Sequence, residues 1–322
     1  AAAPLAGQTA AGGAASWRPL SADQAWKQTR YVYRPGLAGP GSGRGVAMYS
    51  VLAAAAGGRD VRHKKGKDMV VEAMRMRCTA KSALPHHALV ANLPAGTEKV
   101  LGDLGFIVQD VRHLEGMVKS WWKPIGDRSE AQAHGRMWVG DRVGLRPDGY
   151  LTYLKFLAWN DTRYDHIYFI DTDVVFSGCP VDERIRQLAR QDVDFYATPE
   201  MASRGYTETK GRGYKYIGWN THAMLFRPSA TVFAELVKKA SAGDYVPYTN
   251  TEQDVLEWYY IPGAKKGQVR SVDMQRTTCH YHRLQAIPTA RCSAKGLANE
   301  FAGAPLDCGS FREICGSIRW RG

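Results

Sequence analysis

Residues Tyr150 to Gly178 read YLTYLKFLAWNDTRYDHIYFIDTDVVFSG, and this order of patterns decides the fold predicted around it. Apolar and aromatic side chains at helical spacing come first, and a polar break follows from Asn160 to Asp165. His166 to Ile170 then has the composition of a short buried strand. The segment therefore predicts a helix, a turn and a strand that ends on Asp171 and Asp173; the helical positions are Leu151, Leu154, Phe156, Leu157 and Trp159.

The two carboxylates flank Thr172. In extended chain, residues two apart project from the same face, so Asp171 and Asp173 can point toward one site. Crowded carboxylates repel one another unless a positive charge lies between them, and hard oxygen ligands suit Mg²⁺ or Mn²⁺. Such an ion completes its shell with water and substrate phosphates, which indicates a phosphate ester or diphosphate substrate. Asp is also a common turn residue, and simple capping of the strand is the alternative.

Three motifs in one order resemble glycosyltransferase family 8, the GT-A transferases that include glycogenin and galactinol synthase. The first is Lys155 in the helix, followed by the strand and the acid pair. The second is GWNTHAMLFRPS, Gly218 to Ser229, and the third is NTEQDVLEWYY, Asn250 to Tyr260. The resemblance extends from Arg44 to His282 and implies a GT-A fold, with a Rossmann-like, mostly parallel sheet flanked by helices in a single catalytic domain.

The family's activity is a retaining transfer of a sugar from a nucleotide-diphosphate sugar, here expected to be a UDP-sugar, to a hydroxyl of a carbohydrate or glycoprotein acceptor. The resemblance implies Mn²⁺, or Mg²⁺, held by Asp171, Asp173 and His280, with His282 as the second choice for the third ligand. It also implies catalytic and donor-binding roles; the catalytic candidates are Glu252, Gln253 and Lys155, and the donor-binding candidates are Asn220, Thr221 and Asp171.

Three departures from the family pattern bear on substrate and activity. The first predicted strand runs into Ala53 to Gly58, where the family has a polar residue and a tyrosine that hold the base. His222 replaces a small glycine and would narrow the sugar pocket, and no Lys-Pro-Trp follows His282. These departures leave the nucleotide open and support an alternative, an inactive GT-A-fold scaffold or assembly subunit. A more distant alternative is a phosphatase that uses Asp171 as a covalent nucleophile.

Strand and helix patterns alternate along the chain, which predicts an α/β fold with ligands beyond the carboxyl ends of parallel strands. Leu114 to Asp148 has no clean periodicity and predicts a loop-rich connection. The predicted strands are Val46 to Ala53, Ala88 to Leu93, Phe106 to Val111 and Asp194 to Ala197, and the predicted helices are Lys67 to Lys81, Thr97 to Gly105 and Val181 to Arg190.

Composition divides the 322 residues into three parts. Residues 1–43 are rich in Ala, Gly and Pro and predict an extended arm or stem, part of which lies against the main domain through its aromatic residues. Residues 44–290 form the predicted transferase domain, and 291–322 a cysteine-containing extension. The sequence starts at Ala1 rather than Met, and we interpret it as a processed or trimmed form.

The chain is basic, with 43 Lys and Arg against 31 Asp and Glu and a formal charge of +12. These charges are spread along the chain, and the short run Arg59 to Lys67 is typical of a solvated face, so we expect no nucleic-acid partner. Arg204 to Trp219 mixes basic and aromatic residues around glycines. It would close over a diphosphate or stack on sugars, and a single-stranded nucleic-acid platform is the alternative.

Six cysteines, four of them after position 278, favour disulfides and therefore the ER or Golgi lumen; free thiols in the cytosol are the alternative. Asn160-Asp161-Thr162 is a sequon for N-glycosylation. The longest apolar run, Val46 to Ala56, is too short to span a bilayer, so no membrane span is expected.

Overall fold

The computed structural model describes residues 30–33, 45–54, 62–63, 67–123, 149–199, 219–245, 251–263, 269–271, 274–282 and 291–315. The strands are β1 (Arg30–Tyr33), β2 (Val46–Ala53), β3 (Arg62–His63), β4 (Lys67–Asp68), β5 (His86–Ala91), β6 (Phe106–Asp110), β7 (His166–Ile170), β8 (Val174–Phe176), β9 (Phe195–Pro199), β10 (Trp219–Phe226), β11 (Val269–Ser271) and β12 (His280–His282). The helices are α1 (Met69–Ala80), α2 (Thr97–Asp103), α3 (Glu115–Trp121), α4 (Val181–Ala189), α5 (Ala230–Ala242), α6 (Glu252–Gly263), α7 (Met274–Thr277), α8 (Ala294–Glu300) and α9 (Cys308–Cys315), with 3-10 helices at Arg112–Leu114 and Gly149–Asn160.

The largest sheet has eight strands in the order β1-β6-β5-β2-β7-β10-β9-β11. Strands β6, β5, β2 and β7 are parallel neighbours, and β9 and β11 also pair in parallel. Strand β10 lies between β7 and β9 and is antiparallel to both, and β1 is antiparallel to β6 at the edge. The predicted α/β fold with a mostly parallel sheet is therefore confirmed.

Alternating side chains of the strands separate two cores. In β2, Met48 and Leu52 face the core formed with α1, α2 and α4, whereas Ala47 and Tyr49 face the core formed with the long 3-10 helix, α3, α5 and α6. Because both faces are covered, the central strands are buried almost throughout, which is why their sequences read as continuous apolar runs.

The predicted elements are present, with two differences. The predicted helix before Asp171 and Asp173 is a 3-10 helix over Gly149–Asn160, in which every residue but Thr152 is buried. The prediction of a loop-rich connection from Leu114 is wrong for its first part, because Glu115–Trp121 forms α3 and buries Met117, Val118 and Trp121 against the 3-10 helix. The rest of that connection, 124–148, lies outside the described residues.

Asn160 does not fit the role of a glycosylation site. It is the last residue of the 3-10 helix and only 5% exposed, packed where the helix turns toward β7. A glycan is bulky and belongs on a surface loop. The sequon is therefore incompatible with a glycan in the folded chain.

All six cysteines form disulfides: Cys78–Cys308, Cys179–Cys279 and Cys292–Cys315. The first and third hold the C-terminal helices α8 and α9 to α1 and to each other, and α8 also packs on α2. Disulfides persist in oxidising compartments, so the pairing is compatible with a lumenal or secreted protein. Within the described segments, no helix combines the length and the apolar character that a membrane crossing requires.

Part of the segment predicted to be an arm belongs to the sheet. Arg30–Tyr33 forms β1 and pairs with β6, with Arg30 opposite Asp110 and Tyr31 opposite Gln109. The other residues of 1–43 lie outside the described residues, as does most of the basic run Arg59 to Lys67. The division of the chain at residue 44 remains a prediction.

We predict that Asp68 joins the C-terminal extension to the domain. Its Oδ1 accepts hydrogen bonds from the first turn of α1, at Val70 N (3.1 Å) and Val71 N (3.3 Å), and its Oδ2 accepts from Ala294 N of α8 at 2.6 Å. Replacing Asp68 by alanine leaves these N–H groups unpaired and should lower the free energy of unfolding by about 1–2 kcal/mol in urea titrations. Asp68→Asn keeps an acceptor oxygen and should lose clearly less. Equal losses in the two variants would contradict the capping role.

Candidate active site at the carboxyl edge of the sheet

The topology brings two predicted motifs to the same edge. Strand β7 runs toward this edge and ends at Ile170, and the antiparallel β10 begins there. Ala223 of β10 is opposite Ile170, so the residues before Ala223 lie beside the acid pair. Asp171 N donates a hydrogen bond to the His222 carbonyl at 2.7 Å, which fixes the backbone of the first aspartate against β10.

Lys155 is the centre of the site. Its ammonium lies 2.9 Å from Asp171 Oδ1 and 2.8 Å from Glu252 Oε1, and it donates to the Thr221 carbonyl at 3.3 Å. The Lys155 side chain is 7% exposed and that of Glu252 is 1% exposed, whereas that of Asp171 is 38% exposed. The buried Lys155 ammonium therefore joins residues from the 3-10 helix, the end of β7, β10 and α6. Of the three charged side chains in this cluster, only that of Asp171 faces solvent.

The charges of the cluster are strongly coupled. Burial lowers the pKa of the Lys155 ammonium, but attraction by Asp171 and Glu252 outweighs burial and the net pKa lies above its usual value. The pKa of Asp171 is raised because its carboxylate is partly removed from water; Lys155 opposes this rise, and Asp173 and Glu252 add to it. Lys155 is thus charged at neutral pH, and a second positive charge near Asp171 and Asp173 would be favourable.

The start of α6 holds β10 in position. Glu252 Oε1 also accepts a hydrogen bond from Thr221 Oγ1 at 2.7 Å, and Gln253 Oε1 accepts from Thr221 N at 3.3 Å. The pairing between β10 and β9 shifts register between Asn220 and Met224, and such irregularities are common beside active sites. The irregular backbone lets Thr221 turn both its carbonyl and its hydroxyl to the Lys155 cluster.

Asn220 is held differently from Thr221. Its Oδ1 accepts from His222 N at 3.0 Å and lies 2.7 Å from His222 Nδ1, so the amide and the imidazole form one local unit. His222 is 3% exposed and does not extend freely into a pocket. Of the predicted site residues, Lys155, Asp171, Thr221, Glu252 and Gln253 form one network, and Asn220 lies next to it.

The predicted third metal ligand, His280, lies on β12, and the backbone of this strand defines its position. Strand β12 pairs with β8, with His280 opposite Phe176 and His282 opposite Val174, the residue after Asp173. The register brings His282 closer along the strand to the acid pair than His280. Among the described residues, no group of three or more His, Cys, Asp and Glu side chains is already arranged to hold a metal.

A disulfide holds β12 beside β8. Cys179 follows β8 and bonds to Cys279, the residue before His280. The Cys279 carbonyl also accepts hydrogen bonds from Ser177 N at 2.8 Å and Ser177 Oγ at 3.0 Å. The position of β12 therefore depends on the adjacent Cys179–Cys279 disulfide.

Two supporting residues are not evident from the sequence. Thr152 Oγ1 accepts a hydrogen bond from Glu252 N at 3.0 Å and so fixes the first residue of α6. Ser50 of β2 donates to the Ile170 carbonyl at 2.7 Å, directly before Asp171. A single Thr or Ser inside an apolar pattern gives no functional signal. The basic-aromatic loop Arg204 to Trp219 lies outside the described residues except for Trp219.

Comparison with known proteins gives structural likeness only. No protein-family model matches the chain, and no curated protein matches it in sequence. The galactosyltransferase LgtC, solved with donor and acceptor sugar analogs, has a TM-score of 0.45 and 14% identity over 85% of this chain and 98% of its own.

Two further structures are similar at the same level. Mouse xyloside xylosyltransferase 1 in its apo form has a TM-score of 0.43 and 11% identity over 71% of this chain and 86% of its own. The glycosyltransferase GlyE of Streptococcus pneumoniae has a TM-score of 0.40 and 15% identity. The match covers 73% of this chain and 46% of the GlyE chain. At these scores the likeness has no weight in the functional argument, which rests on the residues described above.

Loss of the Lys155 charge should lower the stability of the folded chain strongly. Lys155→Met removes the cation and leaves Asp171 and Glu252 facing each other, so we expect a loss of about 3–5 kcal/mol in the free energy of unfolding, measured with urea. Lys239→Met is the matched control, because among the described residues Lys239 pairs with the exposed Asp244 alone, and this change should alter stability by about 1 kcal/mol or less. A Lys155→Met loss as small as that of the control would show that the cluster does not hold the site together.

Proposed function

We propose that the chain is a GT-A glycosyltransferase similar to family 8, which moves a sugar from a nucleotide-diphosphate sugar to a hydroxyl acceptor with retention of configuration. The observation that supports this most directly is the Lys155 cluster, in which three predicted motifs that are far apart in sequence meet in one network. The first motif contributes Lys155 and Asp171, the second contributes Thr221, and the third contributes Glu252 and Gln253. A chance match of short motifs would not require them to meet. In the transfer, the bond between the anomeric carbon and the diphosphate oxygen breaks, a bond from that carbon to the acceptor oxygen forms, and the proton of the acceptor hydroxyl passes to the departing diphosphate.

The donor set is suitable for Mn²⁺ or Mg²⁺. Asp171 and Asp173 offer hard oxygen ligands, both side chains are partly exposed at the carboxyl edge of the sheet, and the excess negative charge there is only partly balanced by Lys155. Asp171, Asp173 and a histidine of β12 would hold the ion. When bound, it would supply positive charge to the departing diphosphate.

The remaining residues act mainly by positioning. Lys155 holds Asp171 and Glu252 in fixed orientations, which limits the reorganisation needed when substrate binds. Glu252 and Gln253 fix the Thr221 backbone and hydroxyl, so that β10 presents Asn220 to the donor sugar. His222 is buried and bonded to Asn220, so it would act on the donor sugar through the orientation of the Asn220 amide. These roles predict that Glu252 affects catalysis through the geometry of the cluster.

Activity should require both aspartates. We expect purified chain with Mn²⁺ to release nucleotide diphosphate from at least one nucleotide-sugar in a donor screen, and Asp171→Asn or Asp173→Asn to lower this rate by at least about a hundredfold. Asp244→Asn removes the same charge at an exposed position and should retain the wild-type rate. Circular dichroism would show that each variant is folded.

Two results would contradict the assignment. Unchanged turnover in an Asp171→Asn and Asp173→Asn double variant would exclude these residues from the chemistry. Absence of both turnover and any thermal stabilisation by Mn²⁺ with nucleotide diphosphates would favour the alternative function, a scaffold or assembly subunit with a transferase fold. The departures at Ala53 to Gly58 and after His282 motivate that alternative.

The disulfide beside β12 should control metal affinity. A double variant Cys179→Ser and Cys279→Ser releases β12 from the end of β8, so Mn²⁺ titrated in the presence of UDP should bind several-fold more weakly by calorimetry. The matched control is Cys292→Ser with Cys315→Ser, which removes a disulfide within the C-terminal extension and should leave the affinity unchanged. Equal affinities in the two variants would contradict a role of the Cys179–Cys279 disulfide in positioning a metal ligand.

The proposed location is the lumen of the ER or Golgi, where the three disulfides would persist. The proposed partners are a nucleotide-sugar donor, with UDP as the expected nucleotide, and a carbohydrate or glycoprotein acceptor. The geometry around Lys155 does not select among sugars, and the donor screen supplies that identity.

A further inference from the structure

A cleft lies at the opposite edge of the sheet from the candidate active site. Its volume is about 540 Å³. Val46 and His166, the first residues of β2 and β7, form part of its wall, whereas Asp171 follows the last residue of β7. Since a strand rises about 3.3 Å per residue, the five residues of β7 separate the two sites by roughly 16 Å. The other lining residues are Gly45, Asp165, Arg186, Ala189, Arg190 and Arg227.

Two arginines in the lining of this cleft have no carboxylate partner among the described residues. Arg186 lies in the last turn of α4 and Arg190 directly follows the helix, four residues later, and both are exposed. Like charges at this spacing repel one another. Within the described segments, neither guanidinium has an ion pair with a carboxylate. An anion between them would remove this repulsion.

A third guanidinium in the lining, that of Arg227, is held in position by its contacts. Arg227 follows β10 and forms ion pairs with Asp192 at 3.2 Å and Asp194 at 3.4 Å, and its Nε donates to His166 Nε2 at 3.4 Å. Its side chain remains 41% exposed. Burial and the charge of Arg227 lower the pKa of His166, so this imidazole is neutral at pH 7. Among the described lining residues, Asp165 is the one carboxylate, and because Arg227 is already paired with Asp192 and Asp194, the excess positive charge comes from Arg186 and Arg190.

We propose that this cleft binds a phosphate or sulfate ester of a sugar-sized molecule. Guanidinium groups form paired, charge-assisted hydrogen bonds with tetrahedral oxyanions, and three of them line one cleft here. The volume is within the range of about 300–1,000 Å³ typical of small-molecule sites, and it exceeds what a single inorganic ion fills. The site is separate from the proposed chemistry, because it shares no residue with the Lys155 cluster.

Calorimetric titration of the whole chain tests this inference. The probes are glucose 6-phosphate, glucose 6-sulfate, inorganic phosphate and glucose, at constant ionic strength without a divalent metal. We expect an ester to bind more tightly than inorganic phosphate, and glucose not to bind. The tighter of the two esters identifies the oxyanion. Failure of both esters to bind the wild-type chain would overturn the proposal, whatever the outcome for transferase activity.

Paired charge variants locate the site. Arg186→Gln with Arg190→Gln should weaken binding of the ester by at least about tenfold. Arg184→Gln with Arg291→Gln removes two charges from exposed positions outside the cleft and should change it by about twofold or less. Equal weakening in both pairs would mean a response to net charge, and would overturn the proposal. All four positions are exposed, so both pairs should unfold at the wild-type temperature.

Discussion

The ammonium group of Lys155, buried between the carboxylates of Asp171 and Glu252, is the interaction on which the site depends. Two carboxylates this close would repel strongly without it, and burying a lysine without carboxylates would be equally costly. The same cation also binds the Thr221 carbonyl. Four elements that meet at the sheet edge are therefore held in one arrangement by a single charge, and that arrangement leaves only Asp171 partly open to solvent.

The sheet topology explains why this charge cluster forms where it does. Parallel strands alone would bring Asp171 to the carboxyl edge, but β10 reaches the same edge because it runs in the opposite direction. Its irregular segment between Asn220 and Met224 then turns polar groups toward Lys155 that regular pairing would direct elsewhere. The Cys179–Cys279 disulfide holds β12 beside β8, the strand that follows the acid pair. The regular strands bring the residues to one edge of the sheet, and the irregular backbone of β10 orients the polar groups toward Lys155.

Much of this could be predicted from the sequence, since the buried strands and the acid pair have clear local patterns. Lys155, Glu252 and Gln253 were identified by resemblance in motif order, and the structure brings them together with Asp171 and Thr221. Other features depend on contacts between distant residues and have no local pattern. Examples are the partners of the six cysteines, the support that Thr152 gives to Glu252, and the burial of Asn160 that makes its sequon unsuitable. Helix α3 was missed because its seven residues lie among aromatic residues without clear periodicity.

We propose that a divalent cation lies between Asp171 and Asp173 and contacts the phosphates of a nucleotide sugar, with Lys155 as the fixed charge behind it. The most direct measurement is an anomalous difference map from a crystal of the chain grown with Mn²⁺ and UDP. We expect one strong peak in contact with both carboxylates and the diphosphate, with Lys155 still bound to Glu252. Bound UDP without a metal peak at the two aspartates, or a peak elsewhere, would contradict it.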